Sequence, residues 1–361
     1  MIPLFAAFAA SYVVTSLAVL VCRRFGILDA PNNRSSHVVV TPRGGGAGIY
    51  VPVLAAVLAL SSFGILDRRL ALALLVGGPV VVLVGLIDDI RGLPISVRLL
   101  AHLIAAGLAA RFILLHEASG TEPASLEKTA TIVLAALAIV WMINIYNFMD
   151  GIDGLAGGQA ASGSLAMIML AATAAVRGIG SLGVVLCGAS LGFLVWNWPR
   201  ARVFMGDAGS GFLGFLFACV GVAAMQRDFG FAWFWLIVLG LFVTDTSVTL
   251  AVRILRGERF YLAHRQHAYQ HLAQRLGSHA KVSLGAMLLN ILWLLPLAWL
   301  SIAIRGRGAW IAFGALAPLA VAALKLGAGR EYRMPRIPSL DDAVRLRTSP
   351  GSPRQTRTIP F

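Results

Sequence analysis

The sequence is poor in charged residues, in cysteine and in the spacings that bind zinc. Only 13% of the 361 residues are charged, whereas a soluble domain carries about a quarter. The three cysteines, Cys22, Cys187 and Cys219, lie in or beside apolar runs and form neither a disulfide framework nor a metal-binding spacing. These shortages exclude an ordinary soluble enzyme, a disulfide-stapled secreted domain and a zinc protein.

Long hydrophobic runs dominate the chain instead. Hydrophobic residues make up 58% of it, and runs of about twenty residues, enough to cross about 30 Å of hydrocarbon as helices, recur throughout. The period-two alternation of a membrane β-barrel is missing. We therefore predict an all-α, polytopic integral membrane protein with about eleven transmembrane helices. The predicted spans are 2–22, 45–66, 70–87, 98–116, 129–147, 157–176, 179–197, 209–226, 231–252, 283–303 and 309–329.

Basic residues are concentrated in alternate connections between the predicted spans. Arg23, Arg24 and Arg43 follow the first span, and Arg253 and Arg275 follow the ninth. By the positive-inside rule these connections are cytoplasmic, so the N-terminus is expected outside and the C-terminus in the cytoplasm. Because its arginines follow the first span, we expect a retained span and not a cleaved signal. Topology thus accounts for the net charge of +14, and no nucleic-acid partner is expected.

Composition divides the chain into two parts. Residues 1–330 are predicted to form a single transmembrane domain whose cytoplasmic loops carry the polar residues of interest. Residues 331–361 are polar, basic and rich in proline, which predicts a disordered cytoplasmic tail held near anionic headgroups of the membrane lipids.

Acidic residues cluster on one side of the predicted membrane domain. Those at the inner ends of spans are Asp88, Asp89, Asp150, Asp153 and Asp207. Carboxylates at membrane depth are costly and usually line a cavity or meet a cation. Placed beside arginines and glycines, they indicate a site for a phosphorylated ligand and for Mg²⁺, which prefers oxygen ligands. Asp245 lies within the ninth span, and we expect it to face the cytoplasmic cavity, near the metal or paired with an arginine.

Two segments have spacings that suit this chemistry. Asn147, Asp150 and Asp153 are three residues apart, so a helical turn would stack their polar groups on one face. Asp207 stands among glycines at the start of the eighth span, where a helix N-terminus favours phosphate.

Each polar segment also has a plainer structural explanation. Asp88 and Asp89 could be solvated at headgroup level, and Asp207 could be a helix cap. Residues 264–270 could form a basic helix on the membrane surface, and the glycines at 44–46 could serve close helix packing. Five such segments on one membrane face favour a functional explanation.

Taken together, the segments resemble a known family. They read NRSSH…TPRGGG from Asn33, DD at 88–89, NxxNFMDGIDGLAGG from Asn144, VFMGDAGSGFLG from Val203 and HRQHAYQ from His264. In this order they resemble the polyprenyl-phosphate N-acetylhexosamine-1-phosphate transferases over nearly all of the chain to about residue 280. The HRQHAYQ loop is more similar to the O-antigen-initiating branch than to the peptidoglycan branch.

The resemblance implies a reaction and its participants. A sugar 1-phosphate would pass from a UDP-N-acetylhexosamine to undecaprenyl phosphate with release of UMP, at the cytoplasmic face of a bacterial inner membrane. It implies Mg²⁺, with Mn²⁺ as a possible substitute, and is compatible with a homodimer. The donor could be a GlcNAc, GalNAc, FucNAc or QuiNAc nucleotide, with a slight preference for a 6-deoxy sugar.

The resemblance also implies roles for single residues. Asp88 and Asp89 match the paired catalytic aspartates near the lipid phosphate, and Asp207 and Asn147 match metal ligands. The implied nucleotide-binding residues are Asp150, Asp153 and Asn144, and the implied phosphate- and sugar-binding residues are Arg98, His264, Arg265, His267 and Arg43.

The residues leave several alternatives open. Asp88 or Asp89 could act as a base, although a phosphate monoester with a second pKa of about 6 is already mostly ionised at neutral pH. Direct attack is favoured over a covalent aspartyl intermediate because it asks less of the protein. The rival functions are phospho-MurNAc-pentapeptide transfer, cation-coupled transport involving Asp245, and an inactive homologue.

Overall fold

A computed structural model describes residues 1–30, 39–114, 126–173, 176–259 and 264–331. Within these ranges the chain is almost entirely helical, as predicted, with one short antiparallel ladder. The helices are α1 (Ile2–Phe25), α2 (Ala47–Ser62), α3 (Arg68–Arg91), α4 (Ile95–Leu114), α5 (Leu126–Phe148), α6 (Leu155–Leu170), α7 (Ile179–Asn197), α8 (Gly206–Met225), α9 (Gly230–Val238), α10 (Gly240–Leu255), α11 (Ala268–Leu276), α12 (His279–Leu289), α13 (Leu295–Ala303) and α14 (Gly308–Leu326). The strands are β1 (Leu28–Asp29) and β2 (Thr41–Pro42).

Every predicted span falls on a helix, but fewer than eleven are long enough to cross a membrane alone. Nine spans in the described ranges qualify by length and composition, and α9 with α10 makes a tenth if this pair, bent by 79°, is one span. The remaining run, α2, has 16 residues. At 1.5 Å per residue it reaches about 24 Å, short of the hydrocarbon thickness of about 30 Å.

Helix α8 is the most enclosed span, and glycines let its neighbours approach it closely. A Cβ on Gly85 of α3 would lie 2.4 Å from the backbone of Ala208, and a Cβ on Gly46 would lie 2.5 Å from Cα of Gly209. The triple glycine therefore serves close packing, as one of the alternatives proposed: Gly46 lies against the first turn of α8, and Gly45 lies against Val203 and Phe193.

The segment after β2 pairs with the residues that lead into α8. Phe204 N–H donates to Pro42 O (2.9 Å), Gly45 N–H to Phe204 O (2.8 Å) and Gly46 N–H to Met205 O (2.9 Å). These bonds bring Arg43 to the N-terminus of α8.

The bend between α9 and α10 redirects the chain toward the polar end of the bundle. Bending frees the Val238 carbonyl from helical bonding, and Gln159 Nε2 donates to it (3.1 Å). Asn290 Nδ2, in the π-turn Asn290–Leu294 that joins α12 to α13, donates to Gln159 Oε1 (2.8 Å). Beyond the bend, α10 carries Asp245 toward α11.

The remaining expectations on organisation have different outcomes. Cys22, Cys187 and Cys219 are buried and unbridged, as predicted. The described residues up to Arg330 form one compact unit. The predicted tail lies outside the described residues except for Glu331.

Candidate active site

Three carboxylates and two arginines alternate at one end of the bundle, and we call them the acid–arginine ladder. Its order is Asp89, Arg43, Asp207, Arg98 and Asp88. Arg43 Nε lies 2.7 Å from Asp89 Oδ1, and Arg98 Nη1 lies 2.7 Å from Asp88 Oδ2. When all members are ionised the ladder carries one net negative charge, which suits the binding of a cation.

The carboxylate of Asp89 is buried and bonds only to groups of the described protein. Its side chain is 2% exposed, and it accepts hydrogen bonds from the N–H groups of Asp207 (2.9 Å) and Ala208 (3.3 Å). Gly206 has a φ of +78°, and a Cβ there would lie 2.5 Å from Asp89 Oδ2. Asp89 therefore caps α8, and the expectation that Asp207 could supply a cap is corrected.

Asp88 points elsewhere, because successive residues on a helix are about 100° apart. Its Oδ1 accepts from Leu93 N–H (2.6 Å), and its Oδ2 meets Arg98. The same guanidinium nitrogen reaches Asp207 Oδ2 at 3.3 Å. The adjacent aspartates thus face different partners, and Asp88 is the one that borders open space.

Asp207 is the centre of the ladder, held by Arg43 on one oxygen and by Arg98 on the other. Burial alone would lower the pKa of Arg43, but the carboxylates of Asp207 and Asp89 outweigh burial and raise it. The guanidinium is therefore a permanent positive charge at this position. Asn147, one of the predicted metal ligands, also contacts Asp207 through its amide.

A cavity of about 360 Å³ opens beside the ladder. Its polar corner is formed by Asp88, Arg98, Asn144, Asn147 and Asp207. Its walls are mainly apolar and come from α3, α4 and α5. The cavity therefore joins a charged end to a hydrophobic channel within one space.

Two cavity residues were missed by the sequence analysis. His102 lies one helical turn after Arg98 on α4, and Trp141 lies on α5 one turn before Asn144. The four-residue spacing from Arg98 was the available signal for His102. No sequence signal marked Trp141, since a tryptophan in an apolar run is ordinary.

The turn after α5 carries the predicted nucleotide-binding aspartates. Asp150 is half-buried, and no described side chain hydrogen bonds to its carboxyl. Burial raises the pKa of Asp150 well above its ordinary value, and the Asp207 carboxylate raises it further. Asp153 is instead engaged by protein groups, since it accepts from Ala201 N–H (3.1 Å) and lies 3.3 Å from His279 Nδ1. His279 was not predicted.

Asn144, the third predicted nucleotide-binding residue, lies apart from this turn. Its amide donates to Val140 O (2.7 Å), one turn earlier on α5, and the residue borders the cavity.

The predicted sugar-binding residues lie in the loop before α11. His264 and His267 stack with ring centroids 4.9 Å apart, with Arg265 between them in sequence. Burial is the main cause that lowers the pKa of His264 to about 3, and Arg253 lowers it further, so this imidazole is neutral. Tyr269 donates to Phe148 O (3.0 Å), which joins the loop to the turn that carries Asp150.

Asp245 corrects a second expectation. It is buried, but its partner is neither a metal site nor an arginine. It lies 3.1 Å from His267 Nδ1 and accepts from the N–H groups of Ala268 (3.0 Å) and Tyr269 (2.9 Å).

Asn33 to His37, the first predicted motif, lies outside the described residues.

The donor chemistry at Asp207 fits Mg²⁺. Across the described residues no group of three or more His, Cys, Asp or Glu could hold a metal alone. Mg²⁺ needs no such group, because one or two carboxylates and the phosphates of a substrate commonly hold it. The Asn147 amide contacts Asp207 and its nitrogen donates to Ser210 Oγ (3.2 Å), so its oxygen is the atom of this side chain that could bind a cation.

Comparison with known proteins identifies relatives of this arrangement. Residues 71–225 match the family described as glycosyl transferase family 4. A decaprenyl-phosphate N-acetylglucosaminephosphotransferase of Mycobacterium tuberculosis is 31% identical over 350 residues, covering 88% of this chain and 83% of the relative. A probable undecaprenyl-phosphate N-acetylglucosaminyl 1-phosphate transferase of Bacillus subtilis is 29% identical over 273 residues, covering 72% and 73%. A phospho-N-acetylmuramoyl-pentapeptide-transferase of Thermosynechococcus vestitus is 34% identical over 178 residues, covering 45% and 42%.

Proposed function

The chain belongs to glycosyl transferase family 4, as a membrane-embedded polyprenyl-phosphate N-acetylhexosamine-1-phosphate transferase, and on that premise we propose its substrates. The donor is a UDP-N-acetylhexosamine and the acceptor is undecaprenyl phosphate. The products are UMP and the first lipid-linked intermediate of a cell-surface polysaccharide such as O-antigen. The site faces the cytoplasm of the bacterial inner membrane.

The observation that carries this proposal is a cavity that is charged at one end and apolar along its walls. A polyprenyl phosphate has the same division, with an anionic head on a hydrocarbon chain. Arg98 is the cation at the charged end, and Asp88 holds its guanidinium at 2.7 Å. We assign Arg98 to the lipid phosphate and the apolar walls to the first isoprene units.

Asp207 and Asn147 are proposed to hold Mg²⁺, or Mn²⁺ in its place. When bound, the metal supplies positive charge to the pyrophosphate as the leaving group departs. Arg43 and Arg98 are the protein's own contribution to the same charge balance, since two anions must approach each other. Their present bonds to Asp207 hold both guanidiniums within reach of a phosphate.

The nucleotide and sugar are assigned to the turn after α5 and the loop before α11. Asp150, Asp153 and Asn144 are proposed for the nucleotide, and Arg43, His264, Arg265 and His267 for the phosphates and the sugar. The hydrogen bond from Tyr269 to Phe148 O supports a common pocket, because it ties these two segments together. Asp153 would need to exchange a protein partner for the ligand.

Direct attack by the lipid phosphate oxygen on the phosphorus that bears the sugar is favoured. One phosphate oxygen forms a bond to that phosphorus, the bond to the UMP oxygen breaks, and UMP leaves with the electron pair. A phosphate monoester with a second pKa of about 6 is mostly dianionic at pH 7, so it needs no base. Both oxygens of Asp88 are engaged, by Leu93 N–H and by Arg98, which supports an anchoring role over a covalent one.

The test uses purified full-length protein, undecaprenyl phosphate, Mg²⁺ and UDP-linked GlcNAc, GalNAc, FucNAc and QuiNAc, with UMP release and lipid-linked sugar as readouts. We expect product with at least one donor, loss of product in EDTA and recovery on adding Mg²⁺ or Mn²⁺. UDP-MurNAc-pentapeptide serves as the peptidoglycan comparison, because one relative of that function matches over less than half of the chain. Transfer from that donor alone would overturn the proposal, and EDTA-resistant transfer would remove the metal from it.

A further inference from the structure

Asp245 is the buried carboxylate that neither the ladder nor the cavity uses. It lies in the second turn of α10, past the bend, and is 5% exposed. Its Oδ2 accepts from Tyr269 N–H (2.9 Å). Its Oδ1 accepts from Thr249 Oγ1 (3.1 Å) and Ala268 N–H (3.0 Å), and it lies 3.1 Å from His267 Nδ1.

This arrangement determines which nitrogen of His267 carries a hydrogen. An ionised carboxylate only accepts hydrogen bonds, so the nitrogen facing Asp245 must donate. The hydrogen is therefore on Nδ1, and Nε2 is the nitrogen left for another partner. Among the described residues His267 Nε2 is buried and has no hydrogen-bond partner, and the same holds for both ring nitrogens of His264 beside it.

We propose that Asp245 is a positioning residue for transfer, which orients the His267 ring and holds its Nδ1–H tautomer so that Nε2 bonds to the donor sugar. In this tautomer a neutral ring presents an acceptor at Nε2, and the matching ligand group is a hydroxyl of the sugar. The inference rests on the proposed function, because it requires that the loop before α11 contacts the donor.

The loop has other attachments that do not involve Asp245. Arg253 donates to Gln266 Oε1, and Gly329 N–H donates to Gln266 O (2.8 Å). Gln270 Oε1 accepts from His267 N–H (3.3 Å) at the start of α11. Since these contacts persist without the carboxylate, Asp245→Asn is expected to leave the loop docked and the protein folded.

The kinetic test is a double-mutant cycle on the full-length protein with the active donor. Asp245→Asn and His267→Ala should each lower kcat/KM for the donor by about 10- to 100-fold, by analogy with the loss of carboxylates that orient metal-bound histidines. The double variant should fall no further than the worse single variant, because both changes remove one interaction. A loss of kcat/KM in the double variant equal to the product of the two single losses would overturn the proposal.

Asp67→Ala is the control for the loss of a helix cap, because Asp67 accepts from two N–H groups at the start of α3, at the other end of that helix from Asp88. It should change kcat/KM by less than about threefold. Asp245→Glu restores the negative charge and should recover part of the loss in Asp245→Asn. An effect of Asp67→Ala as large as that of Asp245→Asn would mean that the loss of any helix cap accounts for the result, and the proposal would be overturned.

A second readout needs no substrate. In protein carrying ¹⁵N-labelled histidine, NMR of the ring nitrogens reports the tautomer, and His267→Ala identifies the His267 signals. The wild type should show a hydrogen on Nδ1, and Asp245→Asn should show a substantial Nε2–H population. An unchanged tautomer in Asp245→Asn would overturn the proposal. If every UDP-sugar is inactive, the proposed function fails while this measurement still decides the pairing of Asp245 with His267.

Discussion

The acid–arginine ladder and the loop before α11 satisfy their polar groups in opposite ways. In the ladder, charged side chains bond to charged side chains, and Arg43 and Arg98 are 32% and 33% exposed. In the loop, the carboxylate of Asp245 accepts hydrogen bonds from two backbone N–H groups and meets one imidazole, and all of these groups are buried. The ladder has charges that can change partners, whereas the loop has a fixed shape with free ring nitrogens.

The contrast separates two requirements of one reaction. Charge balance between anions needs groups that can move from a protein partner to a ligand, and partly exposed guanidiniums can do so. Recognition of a sugar needs donors and acceptors held at fixed positions before the ligand arrives. Variants in the ladder should therefore act on the chemical step, and variants around the loop should act on the donor.

The largest expected effect is at the centre of the ladder. Asp207→Asn keeps the size of the side chain but removes the charge that Arg43, Arg98 and the proposed metal share. Turnover should fall on the order of 10³-fold, since a bound metal contributes several kcal/mol of charge stabilisation. The assay is UMP release at saturating substrates with a melting curve of the same sample. Turnover within tenfold of wild type at ordinary Mg²⁺ would remove Asp207 from the metal site.

The next prediction is that the two adjacent aspartates differ in their effects on turnover and on stability. Asp88→Asn should lower kcat about 10²-fold with little change in Tm, because Asp88 borders the cavity and holds Arg98. Asp89→Asn should instead lower Tm more than Asp88→Asn does, because it removes a buried negative charge and leaves one amide oxygen to accept from Arg43, Asp207 N–H and Ala208 N–H.

Asp67→Asn at the other end of α3 is the control for this pair. Asp67 accepts from Arg69 N–H and Leu70 N–H, and asparagine caps as well as aspartate does. It should leave both kcat and Tm near wild type. If Asp88→Asn and Asp89→Asn give the same profile, the division of labour read from their contacts is wrong.

Most of the ladder could be predicted from the sequence alone, because the signals lie within short stretches of the chain. Long apolar runs must be helices in a membrane, and the polar residues at their ends were visible against an apolar background. The different partners of Asp88 and Asp89 were not visible, because they depend on how close α3 and α8 come at Gly85. Arg43 was selected by resemblance, and its position follows from the pairing of residues 42–46 with 204–205.

The loop was harder to predict for a physical reason. The partner of Asp245 lies 22 residues away, beyond the end of α10 and a connection, so no helical spacing relates them. His279 meets Asp153 across 126 residues. The family match at residues 71–225 contains the ladder without Arg43 and ends before the loop.

A smaller effect is expected where the end of α14 supports the loop. Gly329 has a φ of +72°, and a Cβ there would lie 2.6 Å from Val252 Cβ and 2.8 Å from Thr249 O. Gly329→Ala should displace its N–H from Gln266 O and lower kcat/KM for the donor about 3- to 10-fold, the cost of about 1 kcal/mol of misplacement.

Gly314→Ala, within α14, is the control, since nothing lies within 4 Å of its Cβ position. It should leave the kinetic constants unchanged. Equal KM and kcat values for Gly329→Ala and wild type would show that the loop keeps its position without this contact.

The smallest expected effect is the pH dependence of stability at His264. Burial is the main cause of its low pKa, about 3, whereas an unfolded histidine titrates near 6.5. Between these values the unfolded chain binds more protons than the folded one, so stability falls as pH drops through about 6.5. His264→Gln removes this difference, and its Tm in detergent should fall less than that of wild type between pH 7.5 and 5. Between pH 7.5 and 8.5, where His264 is neutral in both states, the two proteins should respond alike. A Tm that drops equally steeply in both proteins on acidification would mean that His264 is protonated in the folded loop, and the contrast between a charged ladder and a neutral loop would then fail at this residue.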